Sequence, residues 1–117
     1  MREFLNFSIQ FNLNLRDAAL PVARQLVMFD PENPASLDLM GEILLRLGDT
    51  LNAERFFLRA LEKNPDYDQA HLHLGEFYQR QRKFDLSRYH LARVLETSTN
   101  KKTLARAQQA LEPNLSP

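Results

Sequence analysis

The chain has 117 residues, enough for one hydrophobic core and too few for a core plus a separate catalytic domain. Its 15 basic and 15 acidic side chains balance, which excludes a polycation built for nucleic acid. It contains no cysteine, which excludes a disulfide framework, a thiolate nucleophile and a thiol-ligated metal centre.

Gly41 and Gly75 stand 34 residues apart and set a register for the whole chain. Residues 1–33 read as a degenerate unit of that register. Here Phe7, Ile9, Phe11 and Leu13 alternate with Ser8, Gln10, Asn12 and Asn14, the period of a half-buried strand. A helix over residues 2–11 is nonetheless expected, because a lone strand in a helical array has no partner for its backbone groups. The alternative is an edge strand that pairs with a second chain. Counting back 34 from Pro65, Ala53, Ala60 and Leu61 gives Pro31, Ala19, Leu26 and Val27, which places a second helix over residues 17–29. Pro21 fits only in its first turn, where most amide hydrogens lack an intrahelical acceptor. Counting back from Gly41 gives Phe7, which breaks the rule of a small residue at the close helix approach.

Residues 34–67 form the first clear unit. Leu37, Met40, Leu44 and Leu47 recur at three- and four-residue steps, the stripe of a helix buried on one side. Gly48-Asp49 punctuates, and Ala53, Phe57, Ala60 and Leu61 share one face of the next helix before Asn64-Pro65 ends it.

Residues 68–99 repeat the pattern. Asp66 is expected to N-cap the next helix with Gln69 as its capping-box partner, and the helix runs through Leu74 and Tyr78 to Arg82. Arg82-Lys83 takes the place of Gly48-Asp49, and a partner helix is expected over residues 84–96. Residues 100–112 are expected to form a capping helix, N-capped by Asn100 and ending at Leu111 before Pro113. Gln108 and Gln109 give it one wet face.

With those residues in hand, the two central units resemble tetratricopeptide repeats. Leu37, Met40-Gly41, Leu44, Ala53, Phe57, Ala60 and Pro65 follow the family order, and Leu74-Gly75, Tyr78, Ser87 and Leu91 follow it again. His71, Val94 and Thr99 depart from it, and Phe7 departs most. The resemblance implies an all-α, right-handed superhelical array of antiparallel helix pairs: two full repeats, a degenerate N-terminal repeat and a C-terminal capping helix in a single domain. It implies a non-catalytic scaffold whose groove, lined by the first helix of each repeat, holds a peptide or partner helix.

On that model the inner face carries Asp38, Leu39, Glu42, Leu45 and Arg46, then Leu72, His73, Glu76, Gln79 and Arg80, then Thr103, Arg106 and Ala110. The expected groove residues are Asp38, Glu42, Leu45, Arg46, His73, Glu76 and Arg80. Acids beside aliphatic side chains suit a partner with basic and apolar groups. The subset of the family that clamps a chaperone's C-terminal carboxylate uses cationic and amide residues where this chain has Asp38, Glu42 and His73. Two carboxylates repel such a ligand.

His71 and His73 are two apart on one helix and point to different sides, so no metal site is expected from them. His71 is expected to pack where Leu37 packs one unit earlier, and His90 to lie on the outer side. Residues 1–76 carry a net charge of −5 and residues 77–117 one of +5. Nucleic-acid binding is disfavoured because Phe77, Tyr78, Phe84 and Tyr89 look assigned to packing and Asp85 and Glu96 interrupt the basic stretch. No glycine-flanked nucleophile or phosphate-cradling loop is present, so neither an enzyme nor a cofactor is expected.

Two further readings accompany the scaffold. One is homodimerisation through Phe4, Phe7, Ile9 and Phe11, which would cover an apolar end. The other is an accessory domain of a larger protein. No apolar run approaches the roughly 20 residues that span a bilayer, and the N-terminus lacks signal-peptide order, so a cytoplasmic location is expected.

Overall fold

A computed structural model describes residues 15–115, with side chains from 17 to 112. Phe4, Phe7, Ile9 and Phe11, and with them the choice between helix and strand, lie outside the described residues. Among the described residues all regular structure is helical. A single π-type turn, Leu15–Ala19, leads into α1 (Leu20–Phe29), followed by α2 (Pro34–Arg46), α3 (Thr50–Lys63), α4 (Asp68–Arg80), α5 (Phe84–Thr97) and α6 (Lys101–Leu115). The chain divides into two compact units, Met1–Arg59 and Ala60–Pro117.

In the first unit Pro21 sits in the first turn of α1, as its missing amide hydrogen requires. Asn33 caps α2 by accepting from the Ala35 amide at 2.9 Å, with Pro34 opening the helix behind it. Leu20 and Ala23 of α1 form a core with Met40 and Ile43 of α2, flanked by Val27, Leu44, Leu47 and Phe56. A Cβ on Gly41 would lie 2.7 Å from Phe57 Cε1 and 3.1 Å from the Ala53 carbonyl oxygen. The close approach anticipated from the glycine spacing is therefore real.

Helix α2 ends in a Schellman turn. The Asp49 amide donates to Leu44 O and the Gly48 amide to Leu45 O, with Gly48 at φ 88°. Asp49 then caps α3 through its carboxylate and the Asn52 side chain.

The second unit repeats both devices with different residues. A Cβ on Gly75 would come within 2.6 Å of Leu91 Cγ, and Ser87 Oγ donates to Gly75 O at 2.8 Å. At the end of α4 the Lys83 amide donates to Tyr78 O and the Arg82 amide to Gln79 O, the same Schellman pattern, with Arg82 in the left-handed region at φ 62°. Leu72, Leu91, Val94 and Ala107 form this unit's core, bordered by Ala110 and Leu111.

Several boundaries differ from the sequence reading, among them the end of α4, at Arg80 and not Arg82. Helix α4 starts at Asp68 behind Tyr67, not behind Asp66, and Tyr67 offers no side-chain cap. Asp66 sits in a turn in which its amide donates to Asn64 Oδ1, and its carboxylate is taken by Arg93. Gln69, expected as the capping-box partner, donates to Thr103 instead. The segment over Asp17–Ala19 is part of the π-type turn and not of α1. Asn100 caps α6 as expected, accepting from Lys102 and Thr103, but the helix continues past Leu111 to Leu115. Pro113 removes one donor near a helix end without stopping the helix there.

Candidate functional site

Each unit has its own candidate face, on one side of α2 in the first and on α4 and α6 in the second. On α2, Leu39 and Arg46 are exposed and Glu42 and Leu45 are half-buried. Arg46 reaches back one turn to Glu42 at 3.2 Å, a pair at the surface. Asp38 does not belong to the exposed face, since it is only 5% exposed. The residue 34 positions on, Leu72, is also buried, at 0%. This position of the first helix is therefore buried in both units, where the sequence reading expected exposure.

In the second unit α4 presents His73, Glu76 and Gln79, each half-buried, and the exposed Arg80. Three polar ties bind this helix to α6. Gln69 Nε2 donates to Thr103 Oγ1 at 2.9 Å, Arg106 donates to Glu76 at 2.6 Å, and Gln79 Nε2 donates to the Ala110 carbonyl at 3.0 Å. Thr103 is buried by its tie and is removed from the exposed set, while Arg106 remains exposed. The electrostatic consequence is that both acids meet a guanidinium of their own chain, Glu76 that of Arg106 on α6 and Glu42 that of Arg46 one turn on.

His90 is not on an outer face. It is 7% exposed and meets the 3% exposed His71 with the two Nδ1 atoms 3.0 Å apart. His71 Nε2 lies 2.7 Å from Pro65 O. A carbonyl only accepts, so His71 carries its proton on Nε2, its Nδ1 accepts, and His90 Nδ1 donates. The Tyr78 ring stacks on His90 and the Tyr89 ring meets its edge. Burial pushes His90 down to about 4, helped by the charge of a protonated His71. Burial also lowers His71, against the hydrogen bond to Pro65, with Arg93 lowering it and Asp66 and Asp68 raising it. The pair is a neutral, hydrogen-bonded piece of the core at these positions. His71 does occupy the place of Leu37, which is buried as well.

Part of the basic stretch is answered locally. Arg88 pairs with Asp85, Arg93 with both Asp66 and Glu96, and Arg106 with Glu76. Of the four aromatics assigned to packing, Phe77 and Tyr78 are buried, but Phe84 and Tyr89 are exposed at 43% and 59%. No helix among the described residues is long and apolar enough to cross a membrane.

No family model matches the chain. It is similar to the TPR repeat-containing protein PA4667 of Pseudomonas aeruginosa, with 43% identity over 58 residues, which cover 46% of this chain and 10% of that protein. The chain thus spans about a tenth of the length of the curated relative it matches. The tetratricopeptide resemblance read from the glycine and alanine register is shared with a protein that carries the repeat in its name.

Proposed function

We propose that the chain is a non-catalytic protein-interaction scaffold that binds a peptide or partner helix along its first helices. The observation that carries this reading is the α2 face, where Glu42 and Leu45 stand half-buried beside exposed Leu39 and Arg46. Such a face offers apolar contact and an accessible carboxylate to the same ligand. In the second unit His73, Gln79 and Arg80 of α4 offer a polar face of their own. The partner is a protein segment with Lys or Arg next to aliphatic side chains, and the setting is the cytoplasm.

The two acids are not equivalent. Arg106 holds Glu76 across two helices at 2.6 Å, whereas Arg46 meets Glu42 at 3.2 Å within α2, so a ligand cation gains less at Glu76 than at Glu42. Glu42→Lys is expected to weaken an amphipathic basic peptide by about tenfold, the scale of an exposed ion pair replaced by a repulsion. Glu76→Lys is expected to weaken it less. Fluorescence anisotropy against a panel of Lys- and Leu-containing helical peptides, with circular dichroism as the folding control, checks both. Equal binding by wild type and Glu42→Lys across the panel overturns the reading.

Membership in a larger assembly as an accessory domain is a second reading. It draws on the relative, in which the similar stretch is a small part of the length. Sizing of the native polypeptide by immunoblot separates the two.

A further inference from the structure

The repeat supplies its own reference for what the outer side of a second helix needs. In α3 the exposed residues Thr50, Asn52 and Arg55 are polar. The positions 34 residues on in α5 hold Phe84, Leu86 and Tyr89, exposed at 43%, 46% and 59%. Packing asks for no apolar side chain at these places, since the first unit does without one at each of them. Three such side chains within six residues mark a surface with a use outside the fold.

The charge changes with them. Residues 48–55 carry Asp49, Glu54 and Arg55, a net −1, and residues 82–89 carry Arg82, Lys83, Asp85 and Arg88, a net +2. Arg88 is answered by Asp85, and the Lys83 ammonium lies 5.9 Å from the centre of the Tyr78 ring. Arg82 takes the place of Gly48 and holds φ 62° with a Cβ. Its guanidinium makes no ion pair or hydrogen bond among the described residues. Backbone strain is thus held for a cation without a partner in its own chain, as a contact outside the chain would explain.

We propose that the Arg82-Lys83 turn and the outer side of the first turns of α5 form a second docking surface, whose occupant is an acidic amphipathic segment of another protein. Its carboxylates meet Arg82 and Lys83, and its apolar side chains lie across Phe84, Leu86 and Tyr89. A guanidinium can donate two parallel hydrogen bonds to one carboxylate, which makes Arg82 the anchor. The sign of this surface is opposite to that of the α2 face, where Glu42 suits a basic partner, so the two surfaces select different ligands. A nucleic acid fits less well. Its phosphates form a continuous line of charge, and the Asp85 side chain, 95% exposed, stands in the middle of the surface. The separate carboxylates of a peptide can be spaced around it.

The first unit also supplies the variants. Arg82→Gly/Lys83→Asp installs its turn, and Phe84→Thr/Leu86→Asn installs its exposed side chains. The probe is a panel of fluorescein-labelled peptides that combine Glu with Leu and Phe, titrated with the full-length chain and read by anisotropy. Wild type is expected to bind members of the panel, and to bind the same peptides with Gln for Glu about tenfold more weakly. Each double variant is expected to lose about tenfold in affinity. Arg82→Gly/Lys83→Asp is expected to do so without a fall in thermal midpoint, an opposition of binding and stability that a purely structural role would not produce. Glu42→Lys is expected not to weaken these peptides, which separates this surface from the α2 face. The proposal is overturned if wild type binds none of the panel, or if both double variants bind as wild type does. Tighter binding of a single-stranded oligonucleotide or of phosphatidylserine vesicles than of any peptide also overturns it. Sedimentation closes the remaining route: self-association of wild type that Phe84→Thr/Leu86→Asn abolishes would assign the surface to a second copy and overturn the proposal as well.

Discussion

The helix pairs built around Gly41 and Gly75 solve the same problems with different residues. Both use a glycine where a Cβ would strike the facing helix, and both end the first helix in a Schellman turn. At the turn the first pair has Gly48 and the second Arg82. In the interior the first has Leu37 and Phe56 where the second has His71 and His90. What cannot vary is therefore the close approach. What can vary is the left-handed residue of the turn and the polarity of one core position, provided that every buried nitrogen with a proton finds an acceptor.

The largest effect expected is at the shared feature. Gly41→Val and Gly75→Val would drive side-chain atoms into Phe57 and Leu91, and overpacking of this kind costs about 3 kcal/mol. Urea unfolding of the two variants checks it. If one glycine tolerates valine and the other does not, the two contacts are not equivalent and the comparison breaks.

The histidine pair separates the two regions by pH. In the unfolded chain both rings protonate near 6.5, whereas in the folded chain His90 resists until about 4 and His71 is also lowered. Between those values the unfolded state binds more protons, so stability falls as pH drops from 6.5 toward 4 and levels off below. With allowance for partial solvent screening, the loss is about 2 kcal/mol by pH 4.5. His71→Leu/His90→Phe, which installs the residues of the first pair, is expected to flatten that part of the curve. Chemical denaturation from pH 7 to 4 measures it, and an unchanged slope in the double variant would place the acid sensitivity elsewhere.

Much of the fold was legible because its determinants are local or periodic. Gly41, Gly75 and the alanines hold their spacing for steric reasons, and Asn100 caps α6 by the geometry of a short side chain. The site was less legible. Nothing in the composition says how closely a neighbour covers a helix face, and Asp38, Leu72 and Thr103 are buried where exposure was expected. His90 was misplaced because a histidine carries no apolar signal, although its register partner Phe56 did. The tie of Glu76 to Arg106 depends on a contact 30 residues away that no helical period announces.

The turn residues give the smallest and most discriminating test. Arg82 holds φ 62° with a Cβ, a conformation that costs an ordinary residue about 1 kcal/mol relative to glycine. The Lys83 ammonium lies 5.9 Å from the centre of the Tyr78 ring, so in this turn a cation on an aromatic face stands where a Schellman turn usually has an apolar contact. Arg82→Gly is expected to stabilise the protein by about 0.5 kcal/mol, because relief of the backbone strain exceeds the added freedom of the unfolded chain. Gly48→Ala, with no Cβ neighbour to gain and φ 88° to hold, is expected to cost about 1 kcal/mol. Opposite signs from two substitutions at one register position would show that the turn geometry is fixed by the repeat and not by the residue that occupies it. If Arg82→Gly is destabilising instead, the arginine side chain contributes more to this turn than its backbone strain removes.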